Sequence, residues 1–433
     1  MNFIKQNIVN EGIILTKKIK LLTISDHPLL PSGVATQTKY VIEALLQTGK
    51  FDVVSLGGAV KHQSYQPTKV DGHKGNWEIF PIDGYGNPQL VQTYIRQHRP
   101  DILYFMTDPR FYEWLWSIDD SIRANVPMVY YHVWDNYPYP KFNQSYYEAN
   151  DVIATISKVT SDIVQTVAPS VDEEYIPHAV DSQIFSKKPP EQLQGVIKDN
   201  PLLEDRFIFF WNNRNARRKQ TGTLIHWYND FINLPHVDRT KVCLFLHTDP
   251  DDPHGQPIRY IIDQLGFGEG EVFLSTNKMP AEHLSLLYNI ADCTLNISDA
   301  EGFGLATLES LSCETPIIVN MTGGLQEQVT DGDNWFGIGI EPCSRAIIGS
   351  QQVPYIYEDR ISREDFLNAL TEMYNKTPEQ LEELGKLGRQ HVEKNYNFEN
   401  FNKQWQDLMI RTHETYGSWE TRKNNKNIRV EVL

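Results

Sequence analysis

Short apolar runs alternate with helix-patterned segments along most of this chain, in two series separated by one polar stretch. Such alternation demands a parallel sheet, because parallel neighbours need a crossover and a helix is the crossover that packs back on the sheet. In the first series the reading predicts strands at 20–25, 51–56, 102–106, 126–131 and 152–156. Helices are predicted over 36–47, 90–97 and 157–167, with Ser157 as a cap. Residues 181–205, with Lys187-Lys-Pro-Pro190, read as a linker with a short helix. A second series follows, with strands at 207–211, 242–246, 272–274, 293–297 and 316–319 and helices at 222–231, 257–265, 281–289 and 305–312. Two further helices are expected at 378–395 and 398–413.

At 433 residues the chain is longer than one hydrophobic core usually serves. The expected architecture is therefore α/β, with two doubly wound Rossmann-like lobes and an interdomain cleft. The boundaries expected are 1–185 for the first lobe, rejoined by a C-terminal helix at 398–420, then 186–397 for the second lobe and a polar tail at 421–433. The basic run from Thr421 to Arg429 reads as a frayed terminus. No signal peptide or membrane span is seen in residues 1–20. The four cysteines lack a C-x-x-C pair and read as reduced thiols, so a cytoplasmic location is expected, with at most peripheral membrane contact. A net charge of −16 argues against broad affinity for nucleic acid.

The segment from Ser298 to Val319 carries the chemistry. It places Glu301 and Glu309 eight residues apart around Gly302-Phe-Gly304, between a buried strand and an apolar helix. Free N–H groups at the start of that helix suit phosphate, and the two carboxylates suit hydroxyls. A sugar nucleotide satisfies both. Phe303, Gly304 and Leu305 would supply amides to the diphosphate, and Gly33, after the first strand, could offer another from across the cleft. Arg214 and Lys219 lie five apart in a strand-to-helix loop, where two cations can neutralise a departing diphosphate. Arg217 and Arg218 read as surface charges, and the alternative for the whole loop is a solvated basic turn. His132 ends a buried strand and is either a site residue or a core histidine. The aromatic run 130–147 either lines an acceptor site or fills a core. No metal cluster is evident; Asp249-Pro-Asp-Asp252 reads as a loop, and no cofactor beyond the nucleotide sugar is expected.

Four blocks resemble the retaining glycosyltransferases of the GT-B fold, family 4. They are Ile176-Pro-His-Ala-Val-Asp181, Asn213-Arg-Asn-Ala-Arg-Arg-Lys219, the Tyr288-Asn-Ile-Ala-Asp292 block, and Glu301 to Glu309 followed by Gly323-Gly324 and Glu327. The resemblance is strong over 176–332 and weaker in the first lobe. It implies that His132, Arg214, Lys219 and Glu301 are catalytic, with Glu301 near the donor sugar, and that Glu309 binds the ribose of the donor. It also implies a hydroxyl acceptor held mainly by the first lobe. Departures from the family's pattern are His178, Ala179, Asn213, Ala306 and Glu314, the last in place of a common glycine. Rival readings are a two-lobed epimerase or phosphorylase, a catalytically silent sugar-nucleotide binder, and a transferase acting on modified DNA bases. Neither the donor base and sugar nor the acceptor is readable, and the oligomeric state is open.

Overall fold

The computed structural model describes residues 17–423. The start of the chain and the tail from 424 onward lie outside the described residues. The first sheet contains β1 (Ile19–Asp26), β2 (Phe51–Gly58), β3 (Thr68–Lys69), β4 (Trp77–Pro81), β5 (Ile102–Met106), β6 (Met128–His132), β7 (Val152–Thr155) and β8 (Asp172–Tyr175), in the order β3-β4-β2-β1-β5-β6-β7-β8. All pairs are parallel except the short β3 against β4. The second sheet contains β9 (Phe207–Asn212), β10 (Val242–His247), β11 (Val272–Ser275), β12 (Cys293–Asn296), β13 (Ile317–Asn320) and β14 (Gly337–Ile340), ordered β11-β10-β9-β12-β13-β14 and parallel throughout. In each sheet the strand order reverses once, beside β1 in the first and beside β9 in the second. Ligands bind beyond the strand C-termini at such reversals.

Side-chain alternation explains why the strands read as continuous apolar runs. Leu21, Tyr104, Met106, Val129 and Tyr131 face one layer, while Leu22, Ile24, Leu103, Phe105 and Tyr130 face the opposite one. The first of these layers is continuous with apolar residues of the second lobe, including Phe210, Tyr288, Leu308 and Leu311. A third cluster, around Trp211, Leu224, Leu295 and Phe366, covers the outer face of the second sheet.

The chain then returns to the first lobe. Trp405 of helix Phe398–Tyr416 is fully buried, with its ring against Tyr104 and Tyr131 at 5.6 and 4.8 Å. Gln406 donates to Ala44 O at 2.7 Å. The described start of the tail is also docked. Arg422 pairs with Asp151 at 2.6 Å and both side chains are nearly fully buried, so residues 421–423 are not frayed.

Some elements differ from the sequence reading. Helix Gly33–Gln47 begins three residues earlier than expected, because Ser32 caps it by accepting from Ala35 N at 3.0 Å. β8 was not read because Asp172, Glu173 and Glu174 make it a charged edge strand with one neighbour. β4, β14, helix Arg363–Tyr374 and a two-stranded hairpin between them in sequence were likewise unread. That hairpin is half-exposed, and its apolar residues, Ala346 to Ile348 and Ile356 with Tyr357, are grouped at one end instead of alternating, so it shows no period of two. No described helix is long and apolar enough to cross a membrane. Cys243, Cys293 and Cys313 are buried free thiols and Cys343 is an exposed one.

Candidate active site

The loops that leave β9 and β12 meet where the second sheet reverses. Beyond β9 the chain passes Asn213 to Ala216, turns through Arg217–Lys219, and starts helix Thr221–Ile232 after Gln220, whose φ is 56°. This tight turn swings Lys219 inward, onto Glu301 from the loop after β12. Nζ of Lys219 donates directly to Glu301 Oε2, and the two side chains are 7% and 10% exposed. Asn296 Nδ2 supplies a second donor to Oε2 at 3.3 Å, and Arg218 stands 3.8 Å from Oε1.

The electrostatics follow from burial and cations together. Burial alone would push the Glu301 carboxyl up, but Lys219 and Arg218 outweigh it and hold the group at about 2. The Lys219 ammonium is brought down to about 8, first by burial and then by Arg218, against the pull of Glu301. Glu309 lies on helix Leu305–Ser312 and has no cation beside it among the described residues. Burial raises its carboxyl to about 7, opposed by the hydroxyl of Tyr288, which donates to Oε2 at 2.8 Å. Asn212, at the end of β9, donates to the same tyrosine at 2.8 Å and so ties Glu309 to the neighbouring loop.

The turn between the acids is built for close approach. Gly304 has a φ of 94°, and a methyl group there would meet Leu325 at 2.6 Å and Thr307 at 2.8 Å. Helix Leu305–Ser312 has no side-chain cap, which leaves its first N–H groups for a ligand. Gly323 and Gly324 pack beneath the turn, and Gly324 N donates to Glu301 O at 3.0 Å. Across the cleft a methyl on Gly33 would reach Leu305 at 3.0 Å, so the first helix of one lobe confronts the uncapped helix of the other. The ring of Phe303 turns inward against His178 and Tyr396, leaving only its backbone to the cleft side.

Two expected residues lie elsewhere. Arg214 is 61% exposed and forks onto Asp252, with Nε and Nη2 at 2.5 and 3.1 Å from its oxygens, and it also meets His254. That hydrogen-bonded pair holds the Asp252 carboxyl at about 2 and draws Arg214 away from Glu301. The cation beside Lys219 is Arg218, which the sequence reading assigned to the surface. His132 is wholly buried, its Nε2 is 2.8 Å from Tyr147 Oη, and its Nδ1 has no partner among the described residues; burial lowers the ring to about 3. A neutral imidazole results, enclosed in the first-lobe interior. Its neighbour Asp135 reaches the cleft instead, beside Gly302 and Gly323, in the field of Arg218, Lys219 and Glu301. Burial raises that carboxyl to about 6. Asp135 could have been flagged from its place three residues beyond a strand end.

Glu327 joins the lobes. It accepts from the amide of Lys158 at 2.8 Å and from the hydroxyl of Tyr175 at 2.8 Å. Of the departures, His178 contacts Tyr131 at 2.8 Å and backs Phe303, whereas Glu314 takes a φ of 62° that glycine would adopt without strain. Among the described residues no group of three or more His, Cys, Asp or Glu could hold a metal ion.

Residues 251–373 match the family described as Glycosyl transferases group 1. The chain is 25% identical over 193 residues to N-acetyl-alpha-D-glucosaminyl L-malate synthase of Bacillus anthracis, covering 44% of this chain and 46% of that protein. It is 35% identical over 77 residues to D-inositol 3-phosphate glycosyltransferase of Acidothermus cellulolyticus, 18% of this chain and 17% of the relative. The chain thus matches less than half the length of these relatives. The fold is shared over nearly full length with sucrose-phosphate synthase from Thermosynechococcus elongatus, at TM-score 0.72, 16% identity, 92% of this chain and 100% of that one. Anabaena HepE, solved with UDP and glucose, aligns at TM-score 0.65, 14% identity, 90% of this chain and 99% of that one. The architecture is thus that of the GT-B glycosyltransferases.

Proposed function

We propose that the protein is a retaining glycosyltransferase of the family 4 kind, moving a hexosyl or pentosyl group from a nucleoside diphosphate sugar to a hydroxyl acceptor. The observation that carries this reading is the buried Lys219–Glu301 contact at the reversal of the second sheet, beside the uncapped helix that bears Glu309. In the absence of donor, Glu301 neutralises Lys219. A diphosphate entering at the helix N-terminus takes over Lys219 and Arg218 as its counter-charges, which frees Glu301 to accept hydroxyls of the donor sugar. Glu309, as a carboxylate, accepts the two ribose hydroxyls.

The two cations neutralise the charge that builds on the diphosphate as the sugar bond breaks. An oxygen of the departing diphosphate takes the proton of an acceptor hydroxyl entering on the same face, which retains configuration and needs no side-chain nucleophile. Charge neutralisation by Lys219 and Arg218 also makes a metal unnecessary for this step. The first lobe with its returning C-terminal helix forms the acceptor side, and residues 186–397 form the donor side. The UDP ligand of HepE and the UDP-2-fluoro glucose bound to the E. coli trehalose-6-phosphate protein, a second fold neighbour, support a nucleotide-sugar donor. We place the enzyme in the cytoplasm.

The test is a panel of nucleotide sugars screened first for thermal protection, then for release of nucleoside diphosphate with and without mixed hydroxyl acceptors. Acceptor-dependent release is expected. Binding with no release under any acceptor would identify a silent binder, and acceptor-independent conversion would identify an epimerase.

A further inference from the structure

The site loops have a second set of anchors that donor binding does not use. After β14 the chain forms the antiparallel hairpin β15 (Ser344–Ile348) and β16 (Ile356–Arg360), which belongs to neither large sheet. Its return strand grips three parts of the molecule. It holds the Glu301 loop: Asp359 N donates to Asp299 O at 2.9 Å, and Asn320 Nδ2 bridges Ser298 O and Asp359 O at 2.8 and 2.7 Å. It also holds the cation turn: Glu358, 2% exposed, accepts from Arg217, and from Arg360 at 2.7 Å.

The third grip is on the first lobe. Tyr357 N donates to Tyr137 O at 2.6 Å, and Asn136 Nδ2 donates to Tyr357 O at 3.1 Å. Tyr355 meets Phe142 edge to face at 5.0 Å, and Val353 is buried among first-lobe apolar residues. The gripped loop follows β6 and also carries Asp135. A two-stranded hairpin has little stability of its own in water, so this one takes its shape from its anchors. Loosening one grip therefore loosens the others.

We propose that Glu358 is a positioning residue for the Lys219–Glu301 pair. Through Arg217 it holds the turn that aims Lys219, and the strand it sits on ties that turn to the first-lobe loop, so the pair is aligned when the lobes are docked. Its effect on turnover rests on the transferase reading; the mechanical coupling does not.

Two variants separate these parts. Asn136→Ala with Tyr355→Ala weakens the first-lobe grip and touches neither of the others, whereas Glu358→Gln weakens the ion pairs with Arg217 and Arg360 and leaves the first-lobe contacts in place. Hydrogen exchange on the folded, ligand-free protein reports on the hydrogen-bonded amides of Ala216, Arg217, Lys219 and Gln220. Exchange there should rise about tenfold or more in both variants, although the first touches no residue of that turn. Unchanged protection in the first variant overturns the coupling. With a donor and acceptor in hand, Glu358→Gln should lower kcat about tenfold or more, leave donor KM within about twofold, and raise donor hydrolysis relative to transfer. Adding Arg217→Ala should then cost little more, and additive losses would overturn the assigned route through Arg217. If exchange rises as expected while the native protein consumes no nucleotide sugar, the coupling stands and the transferase reading fails.

Discussion

Replacing Lys219 with methionine removes one charge from a buried pair and leaves the other. Holding the Glu301 carboxyl at about 2 instead of 4.5 is worth about 3 kcal/mol to the folded state at neutral pH. Burial, with Arg218, lowers the Lys219 ammonium from 10.5 to about 8 and so opposes that gain. A buried pair of this kind contributes little net, because desolvation of both charges offsets their attraction, while either member alone is expensive. Lys219→Met should therefore cost about 3 kcal/mol at pH 7, toward the lower end for a broken buried pair, because Arg218 remains at 3.8 Å and is 44% exposed to water. Adding Glu301→Gln should recover stability to within about 1 kcal/mol of the native protein. Transfer should stay at least about a hundredfold down in both variants.

The pH dependence has a defined sign. In the native protein the Glu301 carboxyl is depressed, so its contribution is present above 4.5 and is lost as pH falls toward about 2. In Lys219→Met burial dominates and raises that carboxyl, so the variant's deficit should shrink as the group protonates. Urea unfolding at pH 7 and pH 4 measures both curves. A double variant as unstable as the single one, or a deficit that grows at pH 4, would refute the reasoning. Near-normal transfer by Lys219→Met would remove the residue from the mechanism.

Glu309 should ionise near pH 7, because burial raises it to about that value, so donor KM should climb as pH drops from 8 to 6; Glu309→Gln should flatten that profile. Tyr288→Phe removes the hydrogen bond that opposes burial and should move the inflection to higher pH. Arg218→Ala should reduce kcat about tenfold or more, whereas Arg214→Ala, which breaks an exposed pair with Asp252, should change kcat less than about threefold and stability by under about 1 kcal/mol. Steady-state kinetics on both variants decides which arginine belongs to the site. Glu314→Gly relieves a left-handed backbone and should stabilise the fold by about 1 kcal/mol, read as an upward shift in unfolding midpoint without loss of turnover.

The two parallel sheets were legible because their strands are buried on both faces and their crossovers keep helical periodicity. Helix Leu305–Ser312 was read to the residue, since Gly304 and the apolar pattern mark its start. The spacing of Glu301 and Glu309 likewise put the second acid on a helix, while the first, expected at the strand end, lies in the loop five residues beyond β12. Hairpin β15–β16 had no such mark, since its apolar residues are grouped at one end and its strands are half-exposed, which leaves no period to detect.

What the linear order of residues determined is this framework: which segments are strands, which loops leave their C-termini, and which charged groups those loops carry. Only the folded chain decided which of those groups meet. Arg214 and Arg218 sit in one basic run, yet Asp252, brought in by a loop 38 residues away, claims the first and leaves the second beside Glu301. His132 and Asp135 leave the same strand, yet Tyr147 and its surroundings close over the histidine while the carboxylate reaches the cleft. The physical reason is range. Periodicity and capping act over a few residues, whereas the direction of a side chain on a loop is set by whichever distant partner satisfies its charge.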